Sequence, residues 1–452
     1  MRFKYGMAMF ALMAISTTGF AESGPATYAR DVAPILNANC ASCHHPGEIG
    51  PMSLMSYKEV RPWAKSIRKV VHERSMPPWD ADSSKVEYSN DSSLSEKEVA
   101  TVLAWVDSGA PMGDPADLPE IPVFNDTWAM GEPDMIFTAD AEFVVPAEDQ
   151  FIEYQSVYFA PAVEEDLYIT AWEIRPSERS VVHHANLVRA PKRLDSVGIG
   201  QAVLTGGDYI GSYLPGARPL SYPEGAALLI PAGSVIQIQI HYAGGPEPLT
   251  DRTRFGVKLA QGRIDKVMRS AGTDDWEIEI EPNGTFDLET EVTLNHDLTL
   301  LSSGAHMHLR GSAYVMSAIL PDGTKKLITD VPNYDFNWQS NYQLANPISV
   351  PKGTKLHVAA HWDNTENNPN VPDPNMKVVY GEWTDNEMLT TWSHVVLTKE
   401  KLGLKVVDGH VVGKFDDAQD SISSGILQSL PNTFTRPRKS DESKEVSSAG
   451  AN

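Results

Sequence analysis

The stretch Ile236-Gln237-Ile238-Gln239-Ile240-His241 alternates strictly, with three isoleucines on one side and three polar side chains on the other. Period two belongs to a β-strand, whose successive side chains face opposite ways, and β-branched isoleucine suits the pleated surface. Leu167, Ile169 and Ala171 alternate with Tyr168, Thr170 and Trp172 in the same manner. Such strands recur from about Met135 to Val396, between Pro, Gly and Asn turns and with no long helical pattern. That succession predicts antiparallel sandwiches, and a span of roughly 260 residues suggests two of them.

Upstream the period changes to that of helices. Asp31 is placed to cap a short helix carrying Val32, Ile35 and Leu36, with Pro34 in its first turn. Ser56 with Glu59 forms a capping-box pattern ahead of Tyr57, Val60, Ala64, Ile67 and Val71, spaced at three and four. Ser95 with Glu98 repeats it ahead of Val99, Val102, Leu103 and Val106, and Gly109 and Pro111 stop that helix. The predicted architecture is multidomain. A small all-α domain occupies residues 25–114 and a Pro- and Asp-rich linker 115–131. Two all-β antiparallel sandwiches follow at 132–282 and 283–400, joined near Glu281 to Gly284, and a polar, mobile tail covers 401–452.

Across its 452 residues the chain carries 37 Lys and Arg against 60 Asp and Glu, a net charge of −23. Such a surface repels phosphate, which argues against nucleic acid and anionic membranes as partners. Residues 1–21 read as an export signal. Arg2 and Lys4 precede a short apolar core, Met7 to Ile15, and Gly19 and Ala21 stand at −3 and −1 of a cleavage point. That core is too short to span a bilayer, so a periplasmic or secreted protein without membrane insertion is expected.

Only two cysteines occur, in Cys40-Ala41-Ser42-Cys43-His44. Two thiols separated by two residues can each add to a porphyrin vinyl group while the adjacent imidazole takes the iron, the pattern of covalent haem c. A redox disulfide lacks its βαβ setting here, and a zinc site lacks partner thiolates. The opposite ligand is assigned to Met76, in Ser75-Met76-Pro77-Pro78-Trp79, a stiff loop after the second helix. Met52 and Met55 are rivals close behind His44, and His72 sits on the second helix. His45 is read as a solvent-side neighbour of the haem edge.

The β region holds three further clusters. His183 and His184 are adjacent, so in a regular strand they face opposite ways and serve one metal only at a bulge or strand end. His241 lies on the polar side of its strand with Gln237 and Gln239. His306 and His308, in Ala305-His306-Met307-His308-Leu309, share a face, and Met388 offers a thioether. Imidazole suits copper or zinc, and thioether favours cuprous copper. Taken singly, each histidine pair reads either as structural or as ligating. His357 and His361 share a strand face and are read as structural or as supports behind a ligand. His296, His394 and His410 have no arguable partner.

In their order these clusters resemble the copper type II, ascorbate-dependent monooxygenases, the family of dopamine β-monooxygenase and peptidylglycine α-hydroxylating monooxygenase. The resemblance runs from roughly Glu132 to Lys399. It implies two jelly-roll domains and two copper ions, one held by His183, His184 and His241 and one by His306, His308 and Met388. It also implies that the methionine-containing site handles O2 while the three-histidine site supplies a second electron. No disulfide is possible in this β region, unlike the animal members. Ser302-Ser303-Gly304-Ala305 stands where the amidating enzyme has a carboxylate-gripping arginine, which argues against peptide amidation. The N-terminal part resembles small cytochrome c domains with a Met-Pro-Pro-Trp loop.

The function expected is an exported copper monooxygenase that hydroxylates a C–H bond of a small organic substrate with O2. Its electrons would come from an external donor through the fused haem domain. The alternative is a non-catalytic haem and copper electron-transfer or copper-binding protein. A blue-copper carrier needs a free cysteine thiolate, and a zinc hydrolase on the same histidines is separated by metal analysis. One covalent haem per chain is predicted. Its Soret band should survive acid-acetone extraction with the protein and vanish when Cys40→Ser and Cys43→Ser are combined.

Overall fold

The computed structural model describes residues 24–124, 127–147, 151–190, 208–216, 218–275, 277–381, 383–412 and 434–435. The expected export signal lies outside them, as does most of the expected tail. Among the described residues, no helix is long and apolar enough to cross a membrane.

Among the described residues the chain is mostly β, and its α-helices are short and lie in the N-terminal part. Helices Ala33–Asn39, Ala64–His72 and Glu96–Asp107 pack around their own core of Leu36, Val60, Ile67, Val102 and Trp105. The Ser95 and Glu98 capping box forms in full. Two starts differ from expectation. Asp31 lies inside the first helical turn, and its carboxylate reaches back to accept the Thr27 amide at 2.7 Å, so extended Thr27 opens the helix instead. The Ser56 hydroxyl donates to Glu59 Oε2 at 2.6 Å and makes no bond to the backbone, so that box is only half made.

In the first β unit, the strand Val235–Ala243 sits between Phe151–Ala160 and Val182–Ala190 within one long sheet path. Its isoleucines enter a core with Phe137, Ile169 and Phe255, while Gln237, Gln239 and His241 are buried on the other face. The second unit is a sandwich of two five-stranded sheets closing on Leu300, Met316, Val358 and Trp362. The strand Lys355–Asp363 shows the period directly: Leu356, Val358, Ala360 and Trp362 point into the core between outward neighbours.

The chain changes sandwich earlier than the expected joint. Lys266–Val267 pairs with the first unit and Arg269–Ala271 with the second, so Ile278 and Ile280 already belong to the second core. Nor does the chain leave the fold at Lys401. Leu404–Val407 pairs with Arg263–Ile264 and buries Leu402, Leu404 and Val406 against the first unit. That strand is four residues long and flanked by Gly403 and Asp408, so its alternation is easily missed.

The helical part is sewn to both sandwiches. Tyr88 bridges to Leu344, the Ser89 amide donates to the Gln343 carbonyl at 2.8 Å, and Trp79 meets Tyr342 edge-on at 5.1 Å. Arg179 of the first sandwich pairs with Glu48. Between these contacts lies Asp80, whose carboxylate accepts the Asp335 amide while its Oδ2 is buried with no partner among the described residues.

Burial, with the nearby Asp335 carboxylate, pushes the Asp80 carboxyl up to about 7. A folded value above the ordinary one means that the folded state holds the proton more tightly. Its contribution to stability is therefore full at low pH and is lost as pH rises through about 7. Asp80→Asn removes the ionisation, so the variant should melt above the wild type at pH 8, with the gap closing towards pH 4. A gap independent of pH in thermal unfolding would contradict the assignment.

Candidate functional site

His241, near the end of the strand Val235–Ala243, lies directly opposite His184. The adjacent pair His183 and His184 faces one way because the pairing slips between Val182 and His184, the bulge that two neighbouring imidazoles require. Ligating nitrogens of His183, His184 and His241 come within 4.8 Å of one another, and all three residues are buried.

His306 ends the strand Leu298–His306 and His308 follows two residues on, with ring centres 5.0 Å apart. The two sets are not remote. The His184 and His306 rings lie 6.4 Å apart, and Phe336 sits among all five, between 5.8 Å from His183 and 6.5 Å from His306. The sequence predicts two metal sites, and the fold draws their histidines into one cluster between the sandwiches.

Which nitrogen of each ring carries the proton follows from the acceptors. Asn337 donates its amide nitrogen to Asp335 at 2.8 Å, so its carbonyl oxygen faces His183 Nε2 at 3.2 Å and takes that ring's proton. Gln339 likewise commits its nitrogen to the Phe336 carbonyl at 2.8 Å, which leaves its oxygen to accept from His306 Nδ1. His308 Nδ1 donates to the Asn386 carbonyl at 3.1 Å. Its Nε2 is buried with no hydrogen-bond partner among the described residues. An orphaned imidazole nitrogen beside four other histidines fits a metal ion. In the first set the inward nitrogens are Nδ1: those of His183 and His184 lie 3.0 Å apart, and the Tyr154 hydroxyl, 2.9 Å from His184 Nε2, can take that ring's outward proton.

Burial holds these rings neutral, the form that ligates. It lowers His183 to about 4 and His241 to about 3, and it carries His184 and His308 well below the ordinary histidine value. His306 is lowered for the same reason. Met388 is half-buried and follows Glu387, whose carboxylate accepts the His308 amide at 2.9 Å, the Arg310 amide at 2.6 Å and the Trp362 indole at 2.9 Å. The methionine therefore enters its strand beside the turn that carries His308.

The cysteine motif lies at the edge of a cleft between the helical part and both sandwiches. Cys40 and Cys43 are free thiols, raised by burial, Cys40 to about 12. His44 Nδ1 donates to the Met52 carbonyl at 3.1 Å, leaving Nε2 as the ligating nitrogen. That bond ties Met52 behind His44, so it cannot cross to the opposite side. Glycine is required at two contacts: a Cβ on Gly216 would stand 2.4 Å from Cys43 Sγ, and one on Gly50 2.6 Å from His44 Nδ1. Pro77, Pro78 and Trp79 line the same cleft as Cys43, with Met76 half-buried just before them. The motif's residues thus fit a covalent tetrapyrrole.

The remaining histidines stand elsewhere. His357 and His361 share the outward face of their strand and pair with Glu289 at 3.2 Å and Asp287 at 2.6 Å, away from the cluster. His394 is buried, bonded to Ser302 and the Ile210 carbonyl. His45 stacks on Phe124, His72 is exposed and His410 pairs with Glu165. Sequence reasoning missed Tyr154, Phe336, Asn337, Gln339 and Glu387. The run Asp335-Phe336-Asn337-Trp338-Gln339 offers only a turn with two amides as a signal.

Asn337→Leu should weaken metal at the first set about 10–100-fold, since it frees the proton position of His183. His308→Ala should remove the ion of the second set alone. Chelator competition with copper or zinc measures both, and unchanged affinity in Asn337→Leu would remove its assigned role.

No protein-family model and no curated protein matches this chain. Among solved structures, PBCV-1 VP54 fitted into a reconstruction of the virophage Sputnik is similar at 10% identity, over 65% of this chain and 99% of that one, with a TM-score of 0.22. The VP2 subviral particle of infectious bursal disease virus is similar at 12% identity, over 69% and 91%, with a TM-score of 0.15. Likenesses this weak carry no argument about the present chain.

Proposed function

We propose that this chain is an exported copper-dependent monooxygenase, hydroxylating a C–H bond of a small organic substrate with O2 and drawing electrons through its N-terminal haem unit. The observation that supports it most is the buried convergence of five imidazoles, four of which turn an outward nitrogen to a proton acceptor. Copper held there would supply one-electron chemistry towards O2, and haem c would deliver electrons singly.

The residues have separable tasks in this reading. His183, His184 and His241 form an all-imidazole set, which suits cycling between both copper states. His306, His308 and Met388 add a soft sulfur, which favours the cuprous state. Asn337, Gln339 and the Asn386 carbonyl fix ring tautomers, so no ligand has to turn or shed an inward proton. Phe336 fills the space among the rings and keeps water out. Cys40 and Cys43 would hold the haem covalently, and His44 and Met76 would offer its iron a nitrogen and a sulfur ligand. The ligand order of the copper type II monooxygenases supports the same division.

A second reading, a non-catalytic haem and copper electron carrier, is favoured by that same filling of the cluster by Phe336. Oxygen uptake separates the two. The holoprotein, reduced without oxygen and then given an O2 pulse, should consume O2 only when copper is loaded. Met388→Ala should abolish substrate-dependent uptake while sparing copper at the first set. His241→Ala should leave the second copper bound yet stop turnover. Full activity in Met388→Ala would remove Met388 from the site, and copper binding without any O2 uptake would favour the carrier.

A further inference from the structure

The cleft and the histidine cluster are described above as separate places, yet one side chain belongs to both. Cys43, Pro77 and Trp79 line the cleft on the helical side, Trp172 and Tyr213 on the first sandwich, and Gln339 on the second. Gln339 is also the residue whose oxygen accepts from His306 Nδ1 and whose nitrogen donates to the Phe336 carbonyl. A single carboxamide therefore separates the cleft from an imidazole of the cluster.

Its position is imposed from several directions. The Trp338 amide donates to the Asp335 carbonyl at 2.9 Å, and the Ser340 amide to the Trp338 carbonyl at 2.9 Å, which holds the segment in a tight turn. Asn341 accepts the Trp392 indole at 3.2 Å through its side chain, and its carbonyl accepts from Asn90 of the helical part at 2.8 Å. The opposite wall is equally held, because Trp79 is packed against Tyr342 and Tyr88. Both walls of the cleft are thus parts of a fixed frame, with the cysteine motif at one side and Gln339 at the other.

We infer that this cleft seats the tetrapyrrole attached at Cys40 and Cys43, and that Gln339 is the positioning residue linking that seat to the metal at His306 and His308. The inference rests on the haem and copper reading given above and names a route within it. Electrons would enter the cluster at its second set, through the Gln339 to His306 hydrogen bond. One electron passes: iron(II) becomes iron(III) as copper(II) becomes copper(I), and no atom or proton is exchanged. The aromatic lining suits a flat macrocycle, and Arg218 in the same wall suits its carboxylates.

The test uses the full chain loaded with haem and copper, under argon, with the haem reduced by limiting dithionite. Decay of the ferrous α-band and loss of the copper(II) EPR signal are followed together. Gln339→Leu should slow that internal transfer about tenfold or more, weaken copper at the second set by a similar factor and alter its nitrogen hyperfine pattern. Haem content and melting temperature should stay as in the wild type. Gln339→Glu keeps an oxygen acceptor for His306 and should restore the rate and the EPR pattern. Gln339→Leu with both cofactors bound and an unchanged transfer rate overturns the inference alone, while a chain that binds no covalent haem or no copper overturns the underlying reading. A Gln339→Leu variant that transfers electrons normally but raises KM for an organic substrate would give the cleft to substrate, and would also overturn the proposal.

Discussion

Five imidazoles can share one buried space only if each keeps its proton on the side away from the others. A ring turned the other way would point an N–H, in place of a lone pair, at the space where a metal would be held, and a protonated nitrogen cannot ligate. For four of the rings the chain meets this constraint with oxygen acceptors placed outside the cluster: the carboxamides of Asn337 and Gln339, the Asn386 carbonyl and the Tyr154 hydroxyl. The cysteine motif follows the same rule on its own, with the Met52 carbonyl behind His44. The fold of the β region is arranged so that these oxygens arrive where the rings need them.

A carboxamide is fixed with its oxygen towards a ring when its nitrogen is held elsewhere, and here the holding groups reach far. Asp335 holds the Asn337 side chain and its backbone amide, at 2.8 and 2.9 Å. The Asp335 amide donates in turn to Asp80, four residues after Met76 on the helical side. A short chain of hydrogen bonds therefore runs from the Met-Pro-Pro-Trp loop to the tautomer of His183. Glu387 does the corresponding work for the second set. Its single carboxylate takes three donors around the turn after His308, and burial still pushes it up to about 7. The turn carrying His308 is thus fixed by a group that is itself costly to bury, and its three donors offset that cost.

What could be read in the sequence was whatever leaves a period or a spacing. The alternation at Ile236 to His241, the Ser95 and Glu98 box, the cysteine motif and the histidine pairs all do so, and the bulge at His183 and His184 follows from their adjacency. Asp31 and Ser56 look alike as caps but resolve differently, because a short side chain beside a turn has more than one amide or carboxylate within reach. Asn337, Gln339 and Glu387 leave no pattern, since their roles depend on which strands lie opposite in space. The nearness of the two histidine sets was equally hidden. It depends on how two sandwiches are set against each other, and local periodicity carries no record of that.

That setting has its own device. The chain crosses between the sandwiches at Val267 to Arg269, and there Arg269 and Glu400 form a buried fork, with nitrogen to oxygen distances of 3.0 and 2.7 Å. Glu400 also accepts the Val267 amide at 3.0 Å, and Arg269 donates to the Val267 carbonyl at 2.7 Å. A buried ion pair adds little net stability, because removing two charges from water offsets most of their attraction. Its effect here is directional: a planar guanidinium meeting a carboxylate with two bonds tolerates little rotation. The fork locks the crossing strand to the segment that returns through Leu402 to Val406, which is packed on the first sandwich. The second sandwich is held at both of these passages, and a cluster built from rings on both sides needs placement to within about 0.5 Å. Rigidity at the crossing and convergence of the histidines are in this sense one requirement, met at two ends of the same pair of sandwiches.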